Sequence, residues 1–197
     1  MMPPSAGHIR ELLQAQLPAG LFAHTLSTTK YALELAQLYG CGSGEMMSVE
    51  LGALLHDNCK QWDKGTLIVA ASELGYTPGA LELQVPALLH ARIGAHRLMR
   101  DFSVADADAY AAVFFHTVGG RGMCRAARIV YCADKLEEQR EYAGVQVLRA
   151  KACEGLAALC LAVIAANLEY LQENRRLIHP ATLEFYNELV SELTKLG

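Results

Sequence analysis

The chain has 197 residues, 52% of them hydrophobic and 19% charged, with 6 prolines; it can bury the core of one ordinary domain, and a disordered chain is excluded. Its 17 Lys and Arg against 21 Asp and Glu leave a formal net charge of -4. That excludes a global field for gathering nucleic-acid polymers or anionic membranes, so any phosphate recognition is local.

Period-two alternation is nearly absent, whereas apolar residues recur at three- and four-residue steps, which predicts an all-α protein built as a helical bundle. Met1 to Arg10 carry neither a basic leader nor an apolar run, so a cytoplasmic protein is expected. A short helix is predicted near His8 to Leu17, ahead of Pro18, and a second over about Ala19 to Tyr39, ending at the loop Gly40 to Gly44. Ser43 or Ser48 would cap a third, near Met46 to Lys60, whose polar last turn would line a cleft. Lys64 to Leu74 reads as helix, with a break at Gly75 to Gly79. Helical spacing resumes over Leu81 to Met99, Ala105 to Phe115 and Met123 to Tyr142, with a glycine-rich loop at Gly119, Gly120 and Gly122. A long helix is predicted from Val145 to Asn174. Its uninterrupted apolar stretch, Leu156 to Ala166, falls short of the roughly 20 residues of a membrane span and reads as buried. The last helix starts at Pro180, after His179, and runs through Leu196.

No repeat or linker divides the chain, so one domain is expected over 1–197, with a core of about 19–142 and C-terminal helices of 145–196 packed on it. The six cysteines, Cys41, Cys59, Cys124, Cys132, Cys153 and Cys160, form no Cys-x-x-Cys pair and read as reduced core thiols. Oligomeric state is not derivable from the pattern.

Four of the seven histidines and two aspartates stand where a helix end or junction is predicted: His24, His56 with Asp57, His90, His116 and Asp134. Imidazole and carboxylate suit borderline or hard divalent metals. The His-Asp dipeptide alone carries little weight, because the composition yields roughly 0.2 such pairs by chance. Context adds to it. His56-Asp57 closes Gly52-Ala53-Leu54-Leu55, His90 closes Pro86-Ala87-Leu88-Leu89, and His116 closes Ala112-Val113-Phe114-Phe115. A polar group that follows directly on a buried run costs several kcal/mol unless it finds a partner, and a metal is one such partner. Asp134 after Ile129 to Ala133, and His24 after Leu21-Phe22-Ala23, repeat the arrangement.

With these residues in hand, the sequence resembles the His-Asp metal-dependent phosphohydrolase superfamily, and within it the bacterial YqeK family of symmetrical dinucleoside tetraphosphatases. The matching pieces are Leu54-Leu55-His56-Asp57-Asn58-Cys59-Lys60, Leu89-His90 with Gly94-Ala95, His116-Thr117-Val118-Gly119 with Met123, Ala133-Asp134 with Glu137 and Arg140, and His179-Pro180 with Tyr186-Asn187. Leu21 stands where the family usually has a basic residue, and Glu138 where it tends to have proline.

The resemblance implies a single-domain HD-type helical bundle and two divalent metal ions, iron or another such as manganese. One ion would be held by His24, His56, Asp57 and Asp134, and Asp57 would bridge to a second on His90 and His116. It also implies attack by a metal-bridging hydroxide on diadenosine tetraphosphate, giving two ADP, with no membrane or nucleic-acid polymer as partner. Another nucleotide substrate, or a non-catalytic metal-bearing nucleotide sensor, would use the same site. Asp57 and Lys60 are the catalytic candidates. Lys60, Arg92 and Arg140 are the candidate phosphate-binding cations, and Thr117 and Gly119 could let backbone amides approach the substrate. His8 and His96 read as surface residues, and His179 as a helix start or a substrate-side lid.

Overall fold

The computed structural model describes residues 5–195, which form eleven α-helices and two short 3-10 turns, with no strand among the described residues. Met1 to Pro4, Leu196 and Gly197 lie outside the described residues, and the last helix, expected through Leu196, is described as far as Thr194 with Lys195 as its C-cap. The helices are α1 (Ala6–Gln16), α2 (Ala19–Leu38), α3 (Ser43–Leu55), α4 (Lys64–Glu73), α5 (Ala80–Gln84), α6 (Leu89–Phe102), α7 (Ala107–Phe115), α8 (Arg125–Leu136), α9 (Val145–Ala150), α10 (Leu156–Glu173) and α11 (Pro180–Thr194).

Capping side chains set several starts. The Ser5 hydroxyl accepts from the His8 amide at α1, Asp63 accepts from Gly65 and Thr66 at α4, and Asp106 accepts from Ala109 at α7. At α3 neither Ser43 nor Ser48 caps. The Glu45 carboxylate instead accepts from the Gly42 amide, and the Ser48 hydroxyl donates to Asp106 across to α7.

Four predicted helices are shorter or divided, the one expected through Lys60 ending at Leu55. Pro86 lacks an N–H and forces Val85 to an extended φ of -128°, so 81–99 splits into α5, a 3-10 turn at Pro86–Leu88 and α6. The predicted 123–142 helix stops at Leu136, where the Arg149 guanidinium takes the carbonyls of Leu136, Glu137 and Arg140. The long 145–174 helix divides at Gly155, which sits at φ 103°, a conformation that glycine alone adopts readily.

α3 lies at the centre. Val49 and Ala53 face a main core with Ala32 and Leu35 of α2, Ala112 of α7, and Ile129, Val130 and Tyr131 of α8. Leu51, Leu54 and Leu55 face a second cluster with Ile9 and Leu13 of α1, Leu98 and Phe102 of α6 and Val113 of α7. Helices α2, α3, α7 and α8 close into a ring, each packed on the next. Gly52 allows the tightest approach, because a Cβ there would lie 2.6 Å from the Ala112 Cβ. Gly52→Val is therefore expected to lower unfolding free energy by roughly 1–3 kcal/mol through overpacking. Urea unfolding checks this, and an unchanged midpoint would mean that α3 and α7 do not meet so closely.

α10 packs on α8 and α11, but it is a cover rather than a fully buried helix. Its 18 residues have a mean hydropathy of 1.3, yet 22% of them are buried, with Leu159, Cys160, Val163 and Ile164 turned to the core. The cysteines likewise differ from a uniform set of core thiols. All six are free, but only Cys59, Cys132 and Cys160 are buried, and Cys153 is exposed at the turn before Gly155.

Candidate metal centre

The ring of helices brings the predicted ligands together at one end. His24 comes from α2, His56 and Asp57 from the turns after α3, His90 from the first turn of α6, His116 from the end of α7 and Asp134 from α8. The helix predicted through Lys60 ends at Leu55. Its carbonyl accepts from both the backbone amide and the side-chain amide of Asn58, so the chain continues in tight turns. Asn58 also donates to the Gly94 carbonyl and accepts from the buried Arg97, which in turn pairs with Asp101. This polar scaffold fixes the His56-Asp57 turn against α6.

Two trios of ligand atoms result: His24, His56 and Asp134 in one, and Asp57, His90 and His116 in the other, the atoms of each lying within 4.8 Å of one another. The carboxylate of Asp57 lies between them. Its Oδ2 is 3.2 Å from His56 Nε2 and 3.8 Å from His24 Nε2, while its Oδ1 is 3.1 Å from His90 Nε2 and 3.4 Å from His116 Nε2.

Proton placement tests whether this set fits a cation. The Nδ1 of His56, His90 and His116 faces the carbonyl of Ala53, Ala87 and Val113 respectively, each three residues upstream, and His24 Nδ1 faces the Glu137 carboxylate at 3.1 Å. Carbonyls and carboxylates only accept, so every Nδ1 carries a proton, which leaves every Nε2 as the inward ligand atom. The Nε2 atoms face one another and the two aspartates: His90 and His116 Nε2 are 2.9 Å apart, His24 and His56 Nε2 are 3.3 Å apart, and His24 Nε2 is 3.0 Å from Asp134 Oδ1. Asp57 Oδ1 is buried with no hydrogen bond of its own. Four Nε2 atoms and two carboxylates that converge while every Nδ1 donates outward are the donor set of a divalent cation.

Electrostatics agree with ionised carboxylates. Burial works to raise the Asp57 carboxyl, but the His56, His116 and His90 imidazoles outweigh it and hold it well below the usual range. Burial likewise opposes ionisation of Asp134, and Lys135 with His24 overcomes it. Burial pushes the His116 imidazole down to about 4, so that ring is neutral at physiological pH, as a ligand must be.

The other candidates separate. Lys60 Nζ sits 2.8 Å from Asp57 Oδ2, with its side chain 43% exposed, and Thr117 Oγ1 is 3.0 Å from His116 Nε2. Arg140 donates to Asp134 Oδ1 at 3.1 Å. Arg92 is not drawn in: its guanidinium lies between the rings of Tyr76 and Phe114, and among the described residues no hydrogen bond or ion pair links it to either trio. Gly119 serves packing, since at φ 72° a Cβ would lie 2.6 Å from Phe185 of α11. His179 caps α11, accepting from the Ala181 amide, and His8 and His96 are exposed. Leu21 joins the apolar cluster of α1 and α3, and Glu138 pairs with Lys30 on the surface. Two residues were not singled out for a role by sequence. Lys135 donates to the His116 carbonyl and pairs with Asp134, and Glu137 holds His24. Lys135 follows Asp134 directly and Glu137 caps α8 just past Leu136, so helical spacing singles out neither, and nearness to Asp134 in the chain is the signal they carry.

Comparison with known proteins agrees with this geometry. The HD domain family model matches residues 21–139. The chain is 29% identical over 186 residues to a symmetrical bis(5'-nucleosyl)-tetraphosphatase of Halalkalibacterium halodurans, covering 94% of this chain and 97% of that one. It is 30% identical over 181 residues to the protein of the same name in Bacillus subtilis, covering 91% and 94%. A solved structure from Clostridium acetobutylicum, described as an HD superfamily hydrolase involved in NAD metabolism, superimposes with a TM-score of 0.90 at 27% identity, over 97% of this chain and 100% of that one. The chain thus belongs to the HD domain family and, within it, to the family of the relatives named symmetrical bis(5'-nucleosyl)-tetraphosphatases.

Proposed function

We propose that this protein hydrolyses dinucleoside tetraphosphates at the middle anhydride bond, converting diadenosine tetraphosphate and water to two ADP. The names of the relatives it matches over more than nine-tenths of its length support the substrate class. The observation that carries the chemistry is the position of Asp57, with one carboxylate oxygen turned to each trio. Two divalent cations there, iron first and manganese as the alternative, would supply an activated water and neutralise phosphate charge. Asp57 would serve both positions, His24, His56 and Asp134 the first, and His90 and His116 the second.

The remaining residues treat the substrate. A tetraphosphate carries several negative charges, and the transition state spreads charge onto its oxygens. Lys60 extends from the Asp57 turn, with Lys135 and Arg140 beside Asp134, so three cations stand next to the centre. The Lys60 ammonium is free to leave the Asp57 oxygen for a phosphate once a metal takes that oxygen. The Thr117 hydroxyl borders the second trio and orients what binds there.

Chromatography of the products provides the test. Diadenosine tetraphosphate should yield ADP alone, chelation should abolish the reaction, and added iron(II) or manganese(II) should restore it. AMP with ATP, or no turnover by metal-loaded protein, would overturn the assignment.

A further inference from the structure

We propose that Glu137 is a positioning residue for the first cation site, holding the His24 imidazole with its proton on Nδ1 so that Nε2 faces the metal. The inference rests on the metal-centre reading above and concerns how one ligand is made competent.

His24 differs from the other three imidazoles in where it stands. His56, His90 and His116 follow or begin helices, and each reaches the carbonyl three residues upstream, Ala53 and Val113 in the last turns of α3 and α7 and Ala87 in the 3-10 turn before α6. His24 lies inside α2, Ala19–Leu38, where the neighbouring carbonyls are engaged in the helix's own hydrogen bonds. It needs an acceptor from another element, and Glu137 provides one, its Oε1 3.1 Å from His24 Nδ1.

The carboxylate is itself fixed. Its Oε2 accepts from the Ser27 hydroxyl at 2.5 Å and from the Gln139 amide at 2.7 Å, and the residue is 1% exposed. Ser27 lies three residues past His24, one turn along the same helix, so α2 contributes both the ligand and a donor that locks its orienting partner. Glu137 caps the end of α8 three residues after Asp134, so the last turn of that helix and its cap supply a metal ligand and the orienter of another ligand. With two donors on Oε2, Oε1 takes the imidazole proton, with the Arg140 Nε 3.5 Å away on the same oxygen. A carboxylate behind an imidazole both sets the tautomer and strengthens the outward-facing nitrogen as a ligand.

Glu137→Gln provides the test because it preserves shape. Its amide oxygen will stay with the Ser27 and Gln139 donors, turning the NH2 group toward His24 Nδ1. The ring must then accept at Nδ1 and carry its proton on Nε2, where it blocks the cation. In metal-free protein, imidazole nitrogen NMR should show His24 Nδ1 protonated in the wild type and unprotonated in the variant, whatever Nε2 does beside Asp134 Oδ1 at 3.0 Å. In manganese titrations, one of the two sites should weaken by about 10–100-fold while the other is unchanged, and excess manganese should recover turnover.

A proton on Nδ1 in both proteins, or two manganese ions bound by the variant with wild-type affinity, would overturn the inference. If the wild type itself failed to bind two ions, the metal-centre reading would fall, and the NMR result would still decide the tautomer. Should Glu137→Gln not fold, Ser27→Ala removes one lock on Oε2, and a several-fold loss of affinity at the same single site is expected; no loss there would count against the role of Glu137.

Discussion

Asp57→Asn is expected to empty the centre of both cations and to lower turnover at least about 10³-fold, the equivalent of the several kcal/mol that metals contribute to phosphoryl transfer. Among the described residues Asp57 is the one carboxylate that meets both trios, through Oδ2 at 3.2 Å from His56 and Oδ1 at 3.1 Å from His90. The amide keeps the shape but offers one neutral oxygen where two shared a charge, and its NH2 group would point at one of the trios. The fold should survive, because the substitution removes a buried charge that burial disfavours. Elemental analysis with a thermal melt separates the outcomes: normal metal content in a folded variant would remove Asp57 from its bridging role.

Lys60→Ala should have the complementary effect, with metal content unchanged and turnover lowered by about 10², as expected when a group that meets developing phosphate charge is removed. Lys60 is partly exposed, and its one carboxylate contact, with Asp57 Oδ2 at 2.8 Å, places a positive charge against a metal-facing oxygen. Losing that charge cannot weaken cation binding electrostatically, so reduced metal content would contradict this geometry. Stability should change little, given the solvent-facing ammonium. An unchanged rate would return Lys60 to the surface.

The all-helical fold was legible because the spacing of buried residues along α2, α3 and α8 is strong, and because Pro18 and Gly40 mark helix ends, although α3 starts at Ser43, inside the expected Gly40 to Gly44 loop and ahead of Met46. Tertiary partners decide the boundaries that were not legible. Arg149 ends α8 from a distance in sequence, and Asn58 ends α3 by capturing the Leu55 carbonyl. The six residues of the two trios could be picked out because each interrupts an apolar run with a group too polar to bury alone. Arg92 shows the limit of that approach. Its place two residues past His90 suggested the site, yet a helix turns those two side chains roughly 200° apart, and Arg92 stacks on aromatic rings instead. Glu137 was quoted only as part of a motif, because its role depends on α2 lying against α8, which no local pattern reveals.

Asp57 gives one oxygen to each trio, so a single negative charge would be divided between two neighbouring dications. Loading would then be stepwise: the first ion would take most of that charge, and the second would meet a partly spent carboxylate with a like charge beside it. The penalty would be reciprocal whichever position filled first. In a cation-poor medium the chain would rest half-loaded, and supply of the second ion would become a dial on its activity.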